Sequence, residues 1–328
     1  MKVEAIIPVK KWFSMKYFPR ILLVFGVILF AGLIARVGPE AIVSRLSSAN
    51  VNNILGAILC YFFILAFGCL RWVCLISDKN KNVNILKIAQ VFFLNCFVSN
   101  MTPGRSGDII APAMLVSQCG LSLPFASAVI IMDRFSDFFV LMFVGVVSVI
   151  WLTSGAIKND ISDIFGEVLG ALYVSFYILV FVFFVVYLLI NNSLLKKKYE
   201  ASFFKKITKN ISKNFNDNVS KRNVVVAAMF SLVIWTLHFL KEFLMVSAFI
   251  EISFGYNVVC QSISTLISLF SLIPGGIGVN AISYAFIAEQ LNLDWQGAAS
   301  SAVVGSILFM SIRMILGVVF NRHLMTRD

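Results

Sequence analysis

Two kinds of apolar stretch alternate along this chain. Six run uninterrupted for about the thickness of a bilayer, near residues 21–37, 54–77, 124–153, 168–190, 223–249 and 298–320. Roughly 20 apolar residues in helix cross a hydrocarbon core of about 30 Å. The other two are broken by Pro and Gly. Residues 88–98 form an apolar run of 11, about 16 Å as helix, which reaches only the midplane. The segment Asn100-Met101-Thr102-Pro103-Gly104-Arg105-Ser106-Gly107-Asp108 follows, and 109–117 then runs back. Residues 258–273 and 279–287 repeat the pattern around Leu272-Ile273-Pro274-Gly275-Gly276-Ile277-Gly278. Lipid cannot satisfy the backbone groups such breaks set free, so they survive only where protein or a water-filled cavity covers them. The pattern predicts two re-entrant hairpins, one per half. Interrupted segments at corresponding positions of two halves point to a transporter site near the midplane.

Composition sharpens the class. Hydrophobic residues make up 59% of the 328 and charged residues 13%, far from a soluble domain. The runs are continuous rather than alternating, which excludes a β-barrel reading. The expected fold is an all-α polytopic membrane protein of six transmembrane helices plus two opposed re-entrant hairpins. It is read as one integral membrane domain over 1–328, with halves 1–153 and 168–328 and a basic loop at 191–222. No GxxxxGK[ST] motif is present, so ATP drive is not supported. The six cysteines form no CxxC, and with only His238 and His323 as companions they read as small buried hydrophobes. No metal or cofactor is expected.

Charge fixes orientation. The first 20 residues hold five basic side chains against Glu4, and 191–222 holds eight Lys plus Arg222 against Glu200 and Asp217. Residues 154–167 carry Lys158 with Asp160, Asp163 and Glu167. Basic loops mark the cytoplasmic side, so both termini and the 191–222 loop are expected inside, in a bacterial inner (cytoplasmic) membrane. Nucleic acid is not an expected partner, because the loop's charge suits the anionic leaflet. The first apolar run is read as a retained helix preceded by a basic aromatic stretch, not as a signal peptide. The first hairpin then dips in from the cytoplasmic side and the second from the outside. That order defines an inverted-topology repeat, which suits alternating access.

The polar groups within these spans are candidates for chemistry. At the first break, Pro103, Gly104, Ser106 and Gly107 let several N–H groups converge as an anion nest. Arg105 adds a fork suited to phosphate or carboxylate, Asp108 is placed to cap the arm and pair with it, and Asn100 flanks the turn. The second break, Pro274, Gly275, Gly276 and Gly278, offers backbone N–H groups without charge. Asp133 and Asp137 share a helix face, with Arg134 in reach of Asp137. They lie near the midplane, where each unpaired charge costs about 2.5–3.5 kcal/mol. They therefore form an ion-pair latch, a substrate site or a proton-coupling site. His238, Lys241 and Glu242 are further candidates for charge pairing or proton coupling, although snorkelling accounts for the last two. Arg313 either snorkels or faces Asp133 and Asp137, and Arg71 reads as an interfacial anchor.

These motifs together resemble the lysylphosphatidylglycerol synthase transmembrane-domain family, also called flippase-like integral membrane proteins. The carriers are Asn100-x-x-Pro103-Gly104-Arg105-Ser106-Gly107-Asp108, Asp133-Arg134-x-x-Asp137, Pro274-Gly275-Gly276-Ile277-Gly278-Val279 and Arg313. Members usually show Glu at the places of Asp108 and Asp133, and commonly Glu near Asn280. The resemblance implies handling of membrane lipids. The expectation is a carrier, not an enzyme, that moves an anionic lipid or lipid-linked sugar between leaflets. Its phosphate would sit between the tips, on Arg105 and the tip N–H groups, with Arg134 or Arg313. The alternatives are a membrane transferase acting on a lipid-linked phosphate, with Asp160 and Asp163 its clearest carboxylates, or a non-catalytic partner of envelope-synthesis enzymes.

Overall fold

A computed structural model describes residues 18–77, 83–102, 107–151, 221–271, 273, 276 and 278–325. The fourth expected span (168–190), Asp160, Asp163 and nearly all of the basic loop lie outside the described residues, as do Pro103, Gly104, Arg105, Ser106, Pro274 and Gly275. Every regular element described is a helix: α1 (Phe18–Val37), α2 (Pro39–Ser47), α3 (Val51–Ser77), α4 (Ile85–Met101), α5 (Gly107–Cys119), α6 (Leu123–Trp151), α7 (Lys221–Ser247), α8 (Phe254–Phe270), α9 (Val279–Gln290) and α10 (Trp295–Met325). Three of them, α3, α7 and α10, are long and apolar enough to cross a membrane, and α1 with α2 is a fourth if that bent pair counts as one span.

The first departure from the expected pattern lies just after α1. Between the first two expected spans, Pro39 and Glu40 open a helix bent 72° from α1. Pro at the first helical position has no N–H to waste and a preset φ. Gly38, at φ +91°, makes the corner that a side chain would strain. In α2, Ile42 is buried while Val43 and Leu46 are exposed, the two-faced pattern of a helix lying along an interface.

The centre of the molecule is the pair α3 and α7. On α3 the buried residues Ala57, Tyr61, Ile64, Gly68, Arg71 and Leu75 recur at alternating steps of four and three. On α7 Ala227, Ser231, Ile234, Lys241, Met245 and the following Ala248 keep the same rhythm. Such a seam packs two helices at a shallow angle. Asn223 donates to the Cys74 carbonyl at one end, and the Asn50 N–H donates to the Ala248 carbonyl at the other. The helices are therefore antiparallel, as opposite orientations of the second and fifth spans require.

Each interrupted segment forms a helical hairpin. In the first, Ile88, Val91 and Phe92 of α4 pack with Ala111 and Leu115 of α5. In the second, Val259, Cys260 and Ile263 of α8 pack with Tyr284, Ile287 and Ala288 of α9. The arms are longer than hydropathy indicates. Lys87 masks the true start of α4, where Asn84 caps the helix by accepting the Leu86 N–H at 2.8 Å. Thr102, at φ −110° and ψ 141°, ends it in the extended geometry that a following Pro imposes. The two hairpins are rooted at opposite ends of the bundle. Val83, Cys119 and Leu121 pack near Val224 at the start of α7, whereas Ile250, Ile252, Leu291 and Leu293 pack near Val246 at its end.

Each hairpin also leans on the other half of the chain. Arm α4 runs antiparallel to α10, with Phe97 at Gly317 and Phe93 stacked 4.3 Å from Phe320. A Cβ on Gly317 would lie 2.6 Å from Phe97 Cβ. Arm α8 packs on α6, with Leu266 against Leu141, Met142 and Gly145.

The end of the bundle that holds α2 is closed by Asp294, which caps α10. Its Oδ1 accepts the N–H groups of Gln296 and Gly297, both at 3.1 Å, and Arg45 Nη1 reaches Oδ2 at 2.6 Å. Partial burial works against the charged carboxylate. The Gly297 N–H, the Arg45 guanidinium and the Gln296 N–H outweigh it and hold Asp294 below the usual carboxylate range. Its contribution is therefore complete above the unfolded pKa and disappears as pH falls through the lower folded one. Asp294→Asn keeps an acceptor for the Gln296 and Gly297 N–H groups but loses the charge facing Arg45, so it is expected to cost less than about 1 kcal/mol at neutral pH and to weaken the acid dependence of thermal unfolding in detergent. Unchanged curves from pH 3 to 7 would remove the Arg45–Asp294 pair from the account.

Candidate functional site

Two polar clusters sit at the first hairpin tip, and a third lies further along α7. The first is an ion-pair chain through α3, α6 and α5. Arg71 Nη2 is 2.6 Å from Asp133 Oδ1, and its Nη1 is 2.6 Å from Asp137 Oδ1. The same Nη1 donates to Ser231 Oγ of α7 at 2.7 Å. Arg134 Nη2 is 3.2 Å from Asp133 Oδ2, and its Nε is 3.2 Å from Asp108 Oδ2. Asp108 Oδ1 accepts from Asn95 Nδ2 at 3.0 Å and Ser99 Oγ at 2.8 Å. Three carboxylates thus face two guanidiniums, and His238 stands within electrostatic reach of Asp137.

Arg71 is the residue that sequence reasoning misplaced. It is no interfacial anchor: its side chain is only 4% exposed. Its position on the four–three seam of α3, ten residues after Tyr61, was the available signal. Arg134 pairs with Asp133 and Asp108 rather than with Asp137, whose partner is Arg71. Side-chain exposure separates the two arginines. Arg134 is 36% exposed and Arg71 4%, so of the two Arg134 alone can turn a donor toward a ligand.

The second cluster is built on Arg313 of α10. Its Nε donates to Tyr61 OH and its Nη1 to Asn100 Oδ1, and its guanidinium lies over the Tyr61 ring, 5.4 Å from the centroid. Asn100 in turn donates to the Cys96 carbonyl. Arg313 therefore does not face Asp133 and Asp137. Its partners are a phenol and an amide, and no carboxylate is within ion-pair distance among the described residues. Tyr61 was not anticipated from sequence, although it too lies on the α3 seam.

At the first turn, Gly107 lets the arms close. A Cβ there would sit 2.6 Å from the Ser99 backbone nitrogen. Its N–H donates to Thr102 Oγ1 at 2.8 Å, so this donor is not open to an anion nest. At the second turn Gly276 and Gly278 are buried with φ of +64° and +80°. A side chain on Gly276 would meet Ser268 Oγ, and Gly278 caps α9 without a side-chain bond.

The third group is Lys241 with Glu242. Lys241 Nζ is 2.7 Å from Glu242 Oε2 and 4.3 Å from the centroid of the Phe309 ring. Both side chains are largely buried, so they form an internal pair and do not snorkel. His238 stacks on Trp235 with centroids 5.3 Å apart.

Comparison with known proteins agrees with this architecture. The profile described as the lysylphosphatidylglycerol synthase TM region matches residues 20–317, and the chain belongs to that family. A UPF0104 membrane protein of Methanothermobacter thermautotrophicus is 26% identical over 319 residues, which cover 91% of this chain and 93% of the relative. A UPF0104 membrane protein of Pyrococcus horikoshii is 23% identical over 332 residues, covering 93% and 98%. This protein is accordingly a multi-pass integral membrane protein.

Proposed function

We propose that this member of the lysylphosphatidylglycerol synthase TM family carries an anionic, phosphate-bearing lipid between leaflets. The observation that carries the reading is Arg313. A guanidinium held inside a membrane protein by a phenol and an amide keeps a charge that no carboxylate among the described residues compensates, and such a charge is costly in the bilayer unless an anion or water meets it. Its place beside Asn100 puts that charge at the first glycine turn. Arg134, partly exposed at the same tip, and Arg105 within the turn complete a cationic seat for phosphate.

Two features of the fold support alternating access. The hairpins are rooted at opposite ends of the bundle, and each leans its first arm on the last span of the other half. In this reading the halves are inverted repeats, the hairpins are re-entrant and both termini face the cytoplasm. The lipid tail stays in the bilayer while the phosphate passes the tips. The surplus carboxylate of the Asp108, Asp133 and Asp137 set, with His238 beside Asp137, exchanges a proton during the cycle. Envelope-synthesis enzymes are the partners such a carrier serves, and the cytoplasmic membrane is its place.

The test is a leaflet-resolved assay in proteoliposomes with a fluorescent phosphatidic acid. Losing a buried charged contact to phosphate costs about 2–5 kcal/mol. Arg313→Gln is therefore expected to slow transport by at least about 30-fold, and Arg105→Ala to slow it as well. Transport at the unmodified rate in both variants would overturn the assignment.

A further inference from the structure

The two hairpins carry the same polar arrangement, and only one of them closes it. In the first, Asn95 and Ser99 stand one turn apart on α4, and Asp108 is the second residue of α5. These three bond to one another, and Asp108 also meets Arg134. In the second, Gln261 and Thr265 stand one turn apart on α8, and Asn280 is the second residue of α9. Here Gln261 Oε1, Thr265 Oγ1 and Asn280 Oδ1 are all buried oxygens without a hydrogen-bond partner among the described residues. Gln261 is only 6% exposed. Buried polar oxygens in folded proteins are almost always paired, so a donor that the described residues do not supply belongs there.

Register places the three together. Across this hairpin Asn257 accepts from Tyr284 OH at 2.8 Å, and Ser268 lies against Gly276. Between those contacts, Gln261 stands at the level of Asn280. Asn257, Gln261, Ser264, Thr265 and Ser268 recur at helical spacing and form one polar stripe on α8. The other hydroxyls of this stretch are satisfied locally: Ser262 bonds the Val258 carbonyl and Ser264 the Gln261 carbonyl. Thr265 does not.

We infer that the second hairpin binds an uncharged, hydroxyl-rich headgroup, a polyol or sugar, on Gln261, Thr265 and Asn280. This rests on the carrier reading, with the phosphate at the first tip. Each side-chain amide offers an acceptor and a donor, and Thr265 offers both, which matches hydroxyl groups that give and take hydrogen bonds. A metal ion or an ammonium head fits less well. No carboxylate belongs to the set, and α9 begins at Gly278 without a side-chain cap, so its open N–H groups and positive dipole end lie at the same level. The chain thereby divides recognition between its halves, charge at one tip and hydroxyls at the other.

Binding of short-chain lipids to the detergent-purified full chain tests this. The probes are dioctanoyl phosphatidic acid, phosphatidylinositol and phosphatidylethanolamine. Phosphatidylinositol is expected to bind at least about tenfold more tightly than phosphatidic acid, with no such gain for phosphatidylethanolamine. Gln261→Leu with Asn280→Leu should erase that gain and leave phosphatidic acid binding unchanged. If that double variant fails to fold, Thr265→Val and Gln261→Met, made singly, should each reduce it. Equal binding of phosphatidylinositol and phosphatidic acid, tightest binding of phosphatidylethanolamine, or a preference that survives substitution would each overturn the headgroup site alone. Phosphatidic acid binding that is absent, or indifferent to Arg313→Gln, would overturn the phosphate seat and the headgroup site with it.

Discussion

Arg71→Ala is expected to destabilise the protein by about 3–5 kcal/mol, the usual cost of stranding a buried partner. Arg71 is the only cation within ion-pair distance of Asp137 among the described residues, and it shares Asp133 with Arg134. Its removal leaves Asp133, at 1% exposure, and Asp137 facing one another across a turn of α6. It also takes the bond that Ser231 accepts, and so loosens the α3–α7 seam toward its Asn223 end. Thermal unfolding in detergent, followed by tryptophan fluorescence, should shift down by roughly 10 °C. Asp137→Asn in the same background should recover a large part of that loss, because the stranded charge is then gone. An interfacial anchor behaves otherwise. Its removal would cost less than about 1 kcal/mol, and neutralising Asp137 would not help. A small shift without recovery would therefore restore the anchor reading.

The same residue shows where sequence reasoning stopped. Helices were legible because bilayer-length apolar runs and Pro-Gly breaks are local signals, and α3, α7 and α10 lie where hydropathy puts them. The pairing of Asp108 with Arg134 of α6 and of Asp137 with Arg71 of α3 was not legible, because both depend on how separate helices meet. Arg134 was expected on Asp137 by the three-residue rule for neighbours on one helix. In the fold, Asp137 is taken by a guanidinium 66 residues away, which frees Arg134 for the hairpin. Lys241 and Glu242 failed as snorkelling groups for a related reason. Depth along a span does not say which face of the helix a residue occupies, and the α7 seam turns Lys241 onto the ring of Phe309. The four–three spacing on α3 and α7 was the missing criterion. It assigns Tyr61, Arg71 and Lys241 to an interior face before any coordinates.

Arg134 separates holding from carrying. Arg134→Gln leaves Asp108, Asp133 and Asp137 with Arg71 as their one ion-pair partner among the described residues, so both folding and transport should decline. The folding loss should be smaller than for Arg71, because the Arg134 side chain is 36% exposed against 4% for Arg71, and both its partners keep other contacts, Asp133 with Arg71 and Asp108 with Asn95 and Ser99. Adding Asp108→Asn restores the original excess of one carboxylate, and the double variant is expected to recover most of the thermal stability. Transport should not recover: with the fork gone, the leaflet-resolved assay should stay at least about 100-fold below the unmodified protein, within the lower half of the range for a lost charged contact. Asp108→Asn alone should act in the opposite sense on binding. It removes the carboxylate that occupies Arg134, so phosphatidic acid should bind more tightly while turnover slows, since a ligand must leave as well as arrive. A double variant that is stable and transports at the unmodified rate would make Arg134 a brace and nothing more. In that case Arg313 and Arg105 alone would have to hold the phosphate.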